Sequence, residues 1–457
     1  MEKIKSPGRG RDVDMTQGNV IRHLVLFAAP LLAGNLFQQM YNTVDTWVLG
    51  TFVSNEAFAA VGTVSPIINM LIGTFMGLAS GAGVVTSQYY GAKKEERVRQ
   101  AVHTSLVMTL ILGLALTVLG ILITPAMLHF MKTPAEVFPA ARTYLTIYFS
   151  GMLGLLIYNM GSGILRAVGD SQRPFYFLVV SALLNTGLDL LFVLGFRMGV
   201  DGVAYATILA QGISALLVLW LLLRSDSWIQ LRLPELRLTP DILRKIIQVG
   251  IPAALQMAIT SFSNVFVQSY INFFGSDCMS GWTAYNKIDP FIILPMQSLA
   301  LASTTFVGQN LGTGQVKRAT EGANKAFALA ATLTVTISAV IFVFAPPLVA
   351  FFNSKPEVVE YGTLFLRWMG PLYVLCCFNQ IYSGALRGSG NSRVPMFIML
   401  ASFVVFRQIY LYVMANFISN TVLPVALGYP AGWLVCSVLI FLYFKKVGLS
   451  NNRLLQE

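Results

Sequence analysis

Apolar stretches long enough to cross a lipid bilayer recur about a dozen times along this chain. A helix needs roughly 20 apolar residues to span the hydrocarbon core of a bilayer. Of the 457 residues, 55% are hydrophobic and only 11% are charged, whereas soluble domains carry about 25% charged residues. Because a chain in lipid has to satisfy its backbone hydrogen bonds internally, such runs predict transmembrane helices. We therefore predict an all-α integral membrane protein.

The apolar runs form two sets of six, separated by the only long polar segment inside the chain. This organisation predicts five regions, namely a cytoplasmic tail at 1–19, a first lobe at 20–225, a cytoplasmic linker at 226–242, a second lobe at 243–446 and a cytoplasmic tail at 447–457. Most Lys and Arg residues then lie on the side that holds both termini, as the positive-inside rule requires. We expect a multi-pass protein of the inner (plasma) membrane with both termini in the cytoplasm.

The net charge of +11 comes from basic residues in the short loops between apolar runs. It is therefore explained by loop orientation, and we expect no nucleic-acid partner. The chain contains no nucleotide-binding loop, nucleophile motif or Cys/His cluster, so we expect neither an enzyme nor a bound cofactor or nucleotide. The four cysteines fall mostly in apolar runs and are typical of packing residues.

The two halves are an internal repeat. SGILRAVGDSQRP at 162–174 matches SGALRGSGNSRVP at 383–395, and Pro30 and Asn42 match Pro252 and Asn264. Since each half has an even number of spans, both insert the same way up. We expect two six-helix bundles, twelve helices in all, related by a pseudo-twofold axis along the membrane normal, with a cavity between them. This arrangement is typical of a transporter.

Asp45 lies inside the first apolar run, where a charge costs on the order of 3 kcal/mol. Asn35, Gln38, Asn42 and Asp45 are three or four residues apart and share one helix face. A face this polar is not expected to contact lipid. It either lines the cavity or forms a packing stripe between helices.

Other spans of the first half supply possible partners for Asp45. Asn185 and Asp189 are one turn apart in the fifth span, Thr207 lies in the sixth and Asn159 in the fourth. Carboxylate, amide and hydroxyl oxygens can bind a hard cation such as sodium. Alternatively, one carboxyl group can carry a proton, because burial and a neighbouring like charge both favour its neutral form.

The second half lacks the charge, because Val267 occupies the place of Asp45. It keeps a polar stripe on the seventh span. We expect the substrate cavity to be lined by polar and adaptable side chains of both halves, namely Gln38, Met40, Tyr41, Asn42, Met70, Gln256, Thr260, Asn264 and Gln268.

Four further residues lead to more specific expectations. Pro30 can kink the first span and act as a hinge. Lys287, Asp289 and Arg407 lie inside apolar runs of the second half, where buried charges need partners. We expect them to form a structural ion network, with contact to substrate as the alternative.

The chain resembles the multidrug and toxic compound extrusion (MATE) family from about Val20 to Lys446. The resemblance is carried by Pro30 and Asp45, by QYYGA after the second run, and by LRAVGDSQRP, NTGLDLLFVLGFRMGVDGVAYAT and LRGSGNSRVP. It implies alternating access in a V-shaped cavity, driven by an inward proton or sodium gradient. It places the first-lobe cation or proton site on the residues already selected by the polar pattern, Asp45, Asn159, Asn185, Asp189 and Thr207; these would be metal ligands only if the ion is sodium.

The resemblance is incomplete in the second lobe. Many members of the family carry acidic residues in the seventh and tenth spans, where this chain has Thr260 and about Cys376. We therefore expect coupling from the first lobe alone.

We expect a secondary active antiporter that works as a monomer and exports cationic or amphipathic drugs and metabolites. One alternative is a flippase or exporter of a lipid-linked or other endogenous metabolite, which would need a groove rich in cationic residues. A membrane enzyme or receptor would need a catalytic constellation or a soluble signalling domain, and the sequence has neither.

Overall fold

The computed structural model describes residues 13–53, 55–131, 133–449 and Leu454; within it, the side chains at 42–47, 49–51, 55–56, 58, 66, 262 and 265 lie outside the description. The described chain is 86% helical and contains no strand. The predicted all-α class is therefore confirmed.

The first half of the chain forms seven α-helices. They are α1 (Val20–Phe52), α2 (Asn55–Gly91), α3 (Glu95–Phe130), α4 (Phe138–Ser150), α5 (Met152–Ala167), α6 (Gln172–Leu190) and α7 (Val200–Arg224). A π-helical turn at Leu191–Gly195 extends α6, and a short 3-10 turn at Leu233–Glu235 lies in the linker.

The second half is divided into shorter helices. They are α8 (Pro240–Asn272), α9 (Ser276–Ile288), α10 (Pro290–Gly312), α11 (Val316–Val343), α12 (Ala345–Phe352), α13 (Pro356–Met369), α14 (Tyr373–Gly388), α15 (Arg393–Met399), α16 (Arg407–Val413), α17 (Val422–Ala426) and α18 (Gly428–Val447). A 3-10 turn at Gly370–Leu372 joins α13 to α14, and π-helical segments at Leu400–Phe406 and Met414–Ile418 flank α16.

Ten helical segments in the described residues are long and apolar enough to cross a membrane, and the count is eleven if the bent pair α4 and α5 forms one span. The two helices of that pair meet at an angle of 48°. The sequence predicted twelve spans. The remaining apolar run, at 359–385, is divided between α13 and α14, which have 14 and 16 residues and are each too short to cross alone.

The chain divides into two compact units, which do not coincide with the two halves of the sequence. Unit 1 contains residues 1–14 and 29–250, and unit 2 contains residues 15–28 and 251–457. The chain therefore changes unit inside α1, next to Pro30, and inside α8, next to Pro252. A proline in a helix interior removes one backbone hydrogen bond, so both changes of unit occur where the helix is locally weakened.

The repeated motif forms the same turn in both units. Gly169 and Gly390 have φ values of +89° and +90°, a conformation that favours glycine. After each glycine, a side-chain oxygen accepts hydrogen bonds from the next helix. Asp170 Oδ1 accepts from the Arg173 amide at 3.1 Å, and Asn391 Oδ1 accepts from the Val394 amide at 3.4 Å. The internal repeat is thus visible at the level of individual hydrogen bonds.

In unit 1, helix α7 packs against both α5 and α6. The approach of α5 to α7 is close at Gly154, because a Cβ atom built there would lie 3.3 Å from the Gly212 Cα. On the other side, the Ser181 hydroxyl of α6 donates to the Ala210 carbonyl of α7 at 3.1 Å. This packing brings the polar faces of three helices into the interior of unit 1.

Candidate functional site

The most deeply buried polar residues of α6 are Asn185 and Asp189, one helical turn apart. Asn185 is 2% exposed and Asp189 is completely buried. They continue the face that carries Ser181, whose hydroxyl bonds to α7. The stripe that the sequence predicted on this span is therefore turned into the packed interior of unit 1.

The amide group of Asn185 has no hydrogen-bond partner in the described part of the chain, for either its oxygen or its nitrogen. The large majority of buried side-chain polar atoms in proteins have such a partner. Leaving a buried amide unpaired costs about 1–3 kcal/mol. The side chain therefore has capacity to bind a ligand at a position shielded from bulk solvent.

Thr207 and Asn159 belong to the helices on either side of the α5–α7 contact. Thr207 is 6% exposed, and its hydroxyl donates to the Val203 carbonyl at 2.9 Å. Asn159 is half-buried and donates through Nδ2 to the Leu155 carbonyl at 2.9 Å. Both side chains use their donor within their own helix, so their oxygen atoms remain the acceptors that these residues can offer to a cation.

Asp45 and Asn42 lie in α1, and their side chains are outside the described residues. The structure thus places four of the five predicted coupling residues, Asn159, Asn185, Asp189 and Thr207, on α5, α6 and α7 of unit 1. The set offers one carboxylate, two amides and one hydroxyl, which suit either a proton or a hard cation.

Residues predicted to line a substrate cavity differ in exposure. Met40 is 64% exposed and Met70 is 51% exposed, Gln38 is exposed and Tyr41 is half-buried. All four belong to unit 1. The methionines are unbranched and polarisable, which suits contact with varied apolar ligands.

The polar stripe of α8 changes from buried to exposed along its length. Gln256 is 4% exposed and donates to the Ser392 carbonyl at 3.1 Å, while the Thr260 hydroxyl donates to the Gln256 carbonyl at 2.9 Å. One turn further along, Asn264 is exposed, and the half-buried Gln268 donates to Asn272 at 2.7 Å.

Arg407 is 2% exposed and is held in unit 2 by neutral groups. Its Nε donates to the Ser263 hydroxyl at 3.1 Å, and its Nη2 donates to Asn264 Oδ1 at 3.2 Å. Its guanidinium group also lies over the Tyr429 ring. Asp289 instead accepts hydrogen bonds from the hydroxyls of Tyr285 and Tyr373.

The predicted ion network among Lys287, Asp289 and Arg407 is wrong. No two of them lie within 4 Å of each other as an ion pair in the described residues, and Lys287 is exposed. The reason is that hydroxyl groups and aromatic rings satisfy the charges of Asp289 and Arg407 separately. The i, i+4 spacing of Tyr285 and Asp289 was a local signal for one of these contacts, but Tyr373 and Tyr429 are remote in sequence.

A family model described as MatE matches the chain twice, at residues 30–191 and 252–413, which together are more than half of its length. The chain belongs to the MatE family. The two matches begin at Pro30 and Pro252, the same prolines at which the chain changes unit. This MatE-family protein therefore contains two copies of the family module, as its internal repeat predicted.

Similar proteins support this assignment over nearly the whole chain. A relative from Bacillus subtilis named "Probable multidrug resistance protein YpnP" is 30% identical and covers 94% of this chain and 96% of its own length. A relative from Thermotoga maritima named "Probable multidrug resistance protein NorM" is 26% identical and covers 93% of this chain and 92% of its own length. A solved structure described as an outward-facing multidrug resistance MATE family transporter has a TM-score of 0.91 at 24% identity. The match covers 98% of this chain and 99% of that chain. That structural likeness establishes the fold.

Proposed function

We propose that this MatE-family protein is a multidrug efflux antiporter. It exports cationic or amphipathic small molecules in exchange for protons or sodium ions, by alternating access. The names of two relatives, both named as probable multidrug resistance proteins, support multidrug efflux. The observation that supports ion coupling most directly is the unsatisfied amide of Asn185, one turn from the completely buried Asp189.

In this proposal, Asp45 and Asp189 carry the charge that the coupling ion neutralises, and Asn159, Asn185 and Thr207 supply oxygen ligands. A bound ion changes the conformational equilibrium only through a difference in its affinity for the two states. A buried carboxylate provides that difference, because its free energy depends strongly on whether its charge is compensated. Pro30 serves as a hinge in α1.

The test is efflux of a fluorescent organic cation such as ethidium from proteoliposomes, with a proton gradient and a sodium gradient imposed separately. We expect one gradient to drive efflux in wild type, and Asp45→Asn and Asp189→Asn each to reduce that efflux at least tenfold. Asp226→Asn is the matched control, since Asp226 is an exposed linker residue. Efflux that neither gradient drives contradicts antiport, and normal efflux by both variants contradicts the site.

A further inference from the structure

Asp289 lies between α9 and α10 in helical backbone, with φ of −46° and ψ of −43°, so it is not positioned as a helix cap. It is followed by Pro290, and its side chain makes no capping hydrogen bond. An N-cap aspartate ordinarily accepts from a backbone amide of the first turn. The usual structural explanation for this residue type therefore does not apply here.

The carboxylate is instead bound by two tyrosine hydroxyl groups. Tyr285, one turn earlier on α9, donates to Asp289 Oδ1 at 3.2 Å, and Tyr373 of α14 donates to the same oxygen. The two hydroxyl oxygens are 2.5 Å apart. The three side chains thus form a closed hydrogen-bonded group between α9 and α14.

Aromatic rings surround this group and keep its environment apolar. The Trp282 ring stacks on Tyr285 at 4.7 Å, and the Trp433 ring lies 5.1 Å from Tyr373. Phe365 packs against Trp282 at 5.0 Å. An ionised carboxylate in such surroundings is costly unless it is compensated. Yet Asp289 has no ion-pair partner in the described residues.

The titratable groups near Asp289 come from three helices. Besides the two tyrosines, Cys376 of α14 and Tyr429 of α18 lie within electrostatic reach of the carboxyl. The Arg407 guanidinium group lies over the Tyr429 ring.

Some charged side chains of neighbouring segments are not directed at Asp289. Arg367 of α13 lies over the Phe342 ring, and Asp277 at the start of α9 pairs with Lys355 at 2.7 Å. Lys287 is exposed.

We propose that Asp289 is a proton-binding site of unit 2. The carboxylate takes up one proton from water to become a neutral carboxylic acid, while both tyrosines keep their own protons. This inference goes beyond the proposed function, which places coupling in unit 1 alone.

A metal ion fits this group less well than a proton. The Asp289, Tyr285 and Tyr373 oxygens already hydrogen bond to one another, which leaves no gap for an ion among them. Hard cations also need about six oxygen ligands, whereas the surrounding side chains are aromatic.

Proton uptake changes the charge balance of the interior of unit 2. Tyr429 lies within electrostatic reach of both Asp289 and Arg407. Protonation of Asp289 therefore removes one of the two charges that act on Tyr429, a residue of α18.

The test is infrared difference spectroscopy of the purified full-length protein as the pH is lowered. We expect wild type to gain a carboxylic-acid C=O band that is missing from Asp289→Asn. Asp277→Asn, which removes a half-buried carboxylate at the start of α9 that pairs with Lys355, should keep the band. A spectrum of Asp289→Asn identical to that of wild type overturns the proposal.

Tyr373→Phe provides a second readout if Asp289→Asn does not fold. It keeps the carboxyl but removes one donor, so the band should move to higher frequency. A band that stays in place overturns the proposal. The measurement needs no substrate or gradient, so failure of the antiport assay would leave its result intact.

Discussion

The guanidinium carbon of Arg407 lies 4.6 Å from the centroid of the Tyr429 ring. A second ring, that of Phe403, lies 5.6 Å from the same carbon. A cation that is removed from water and faces an aromatic ring gains about 2 kcal/mol. The rings thus contribute to holding a buried cation that has no carboxylate partner in the described residues.

Tyr429→Leu should lower stability by about 2 kcal/mol, because Arg407 loses the ring that faces its charge. Tyr429→Phe should cost less, since the ring remains. The measurement is thermal denaturation in detergent, with Tyr412→Leu as control because Tyr412 is 56% exposed. Equal melting temperatures for Tyr429→Leu and wild type would show that the ring does not stabilise Arg407.

Asn185→Leu should leave stability unchanged or raise it, because it removes a buried amide that has no partner in the described residues. The same change at Asn379 should cost about 1–3 kcal/mol. Asn379 is equally buried, but it donates to the Trp433 carbonyl at 3.1 Å and accepts from Ser437 at 2.9 Å.

Gradient-driven efflux should rank the same two variants in the opposite order, with the larger loss for Asn185→Leu. Asn185→Leu should reduce the efflux rate at least tenfold if the amide binds the coupling ion. Asn379→Leu should reduce it only in proportion to the smaller amount of folded protein. Efflux by Asn185→Leu at the wild-type rate would exclude the amide as a ligand.

Gly81→Ala should destabilise unit 1 by about 1–3 kcal/mol through overpacking. A Cβ at Gly81 would lie 2.6 Å from the Gly250 nitrogen and from the Ile246 carbonyl oxygen, and these backbone atoms cannot move aside as a side chain can. Gly62→Ala on the same helix is the control, because nothing lies within 4 Å of its Cβ. Equal melting temperatures for the two variants would contradict the close packing of α2 on α8.

Arg318→Ala should release the segment before α1. Arg318 Nη2 donates to the Met15 carbonyl at 3.2 Å and to the Gly18 carbonyl at 2.9 Å, and Met15 is 1% exposed. Hydrogen exchange of the amides at 15–18 should become faster. Lys317→Ala, one residue away and exposed, should leave exchange unchanged; equal exchange in both variants would rule out Arg318 as the anchor.

The linker should loosen in acid. A hydrogen bond from Arg232 lowers the pKa of Glu235 below its usual value of 4.5. A depressed carboxyl pKa stabilises the folded state above the unfolded value, and this contribution is lost as the pH falls through the folded value. Protection of residues 225–240 in hydrogen exchange, corrected for intrinsic rates, should therefore hold down to about pH 4.5 and decrease below it. Glu235→Gln should remove this decrease in protection. If the decrease persists in Glu235→Gln, another group causes it.

Several features of the site could be predicted from local sequence. The spacing of Asn185 and Asp189 predicted one helix face, and the structure buries both almost completely. The i, i+4 rule is sufficient here because both residues belong to one helix.

Other features could not be predicted from local sequence. Tyr373 is 84 residues from Asp289, and Ser263 is 144 residues from Arg407. Both pairs depend on which helices pack together. An ion network was the reasonable expectation for three charges in apolar runs, but a charge that hydroxyls and rings satisfy needs no counter-ion nearby.

By itself, the sequence determined the membrane class, the helices and the twofold repeat. The reason is that a bilayer acts on each segment separately, since every span has to be apolar and has to close its own backbone hydrogen bonds. Only the tertiary structure decided that the chain changes unit beside Pro30 and Pro252, and that Asp289 and Arg407 lie among tyrosines. Those outcomes depend on contacts between distant segments, which no local pattern encodes.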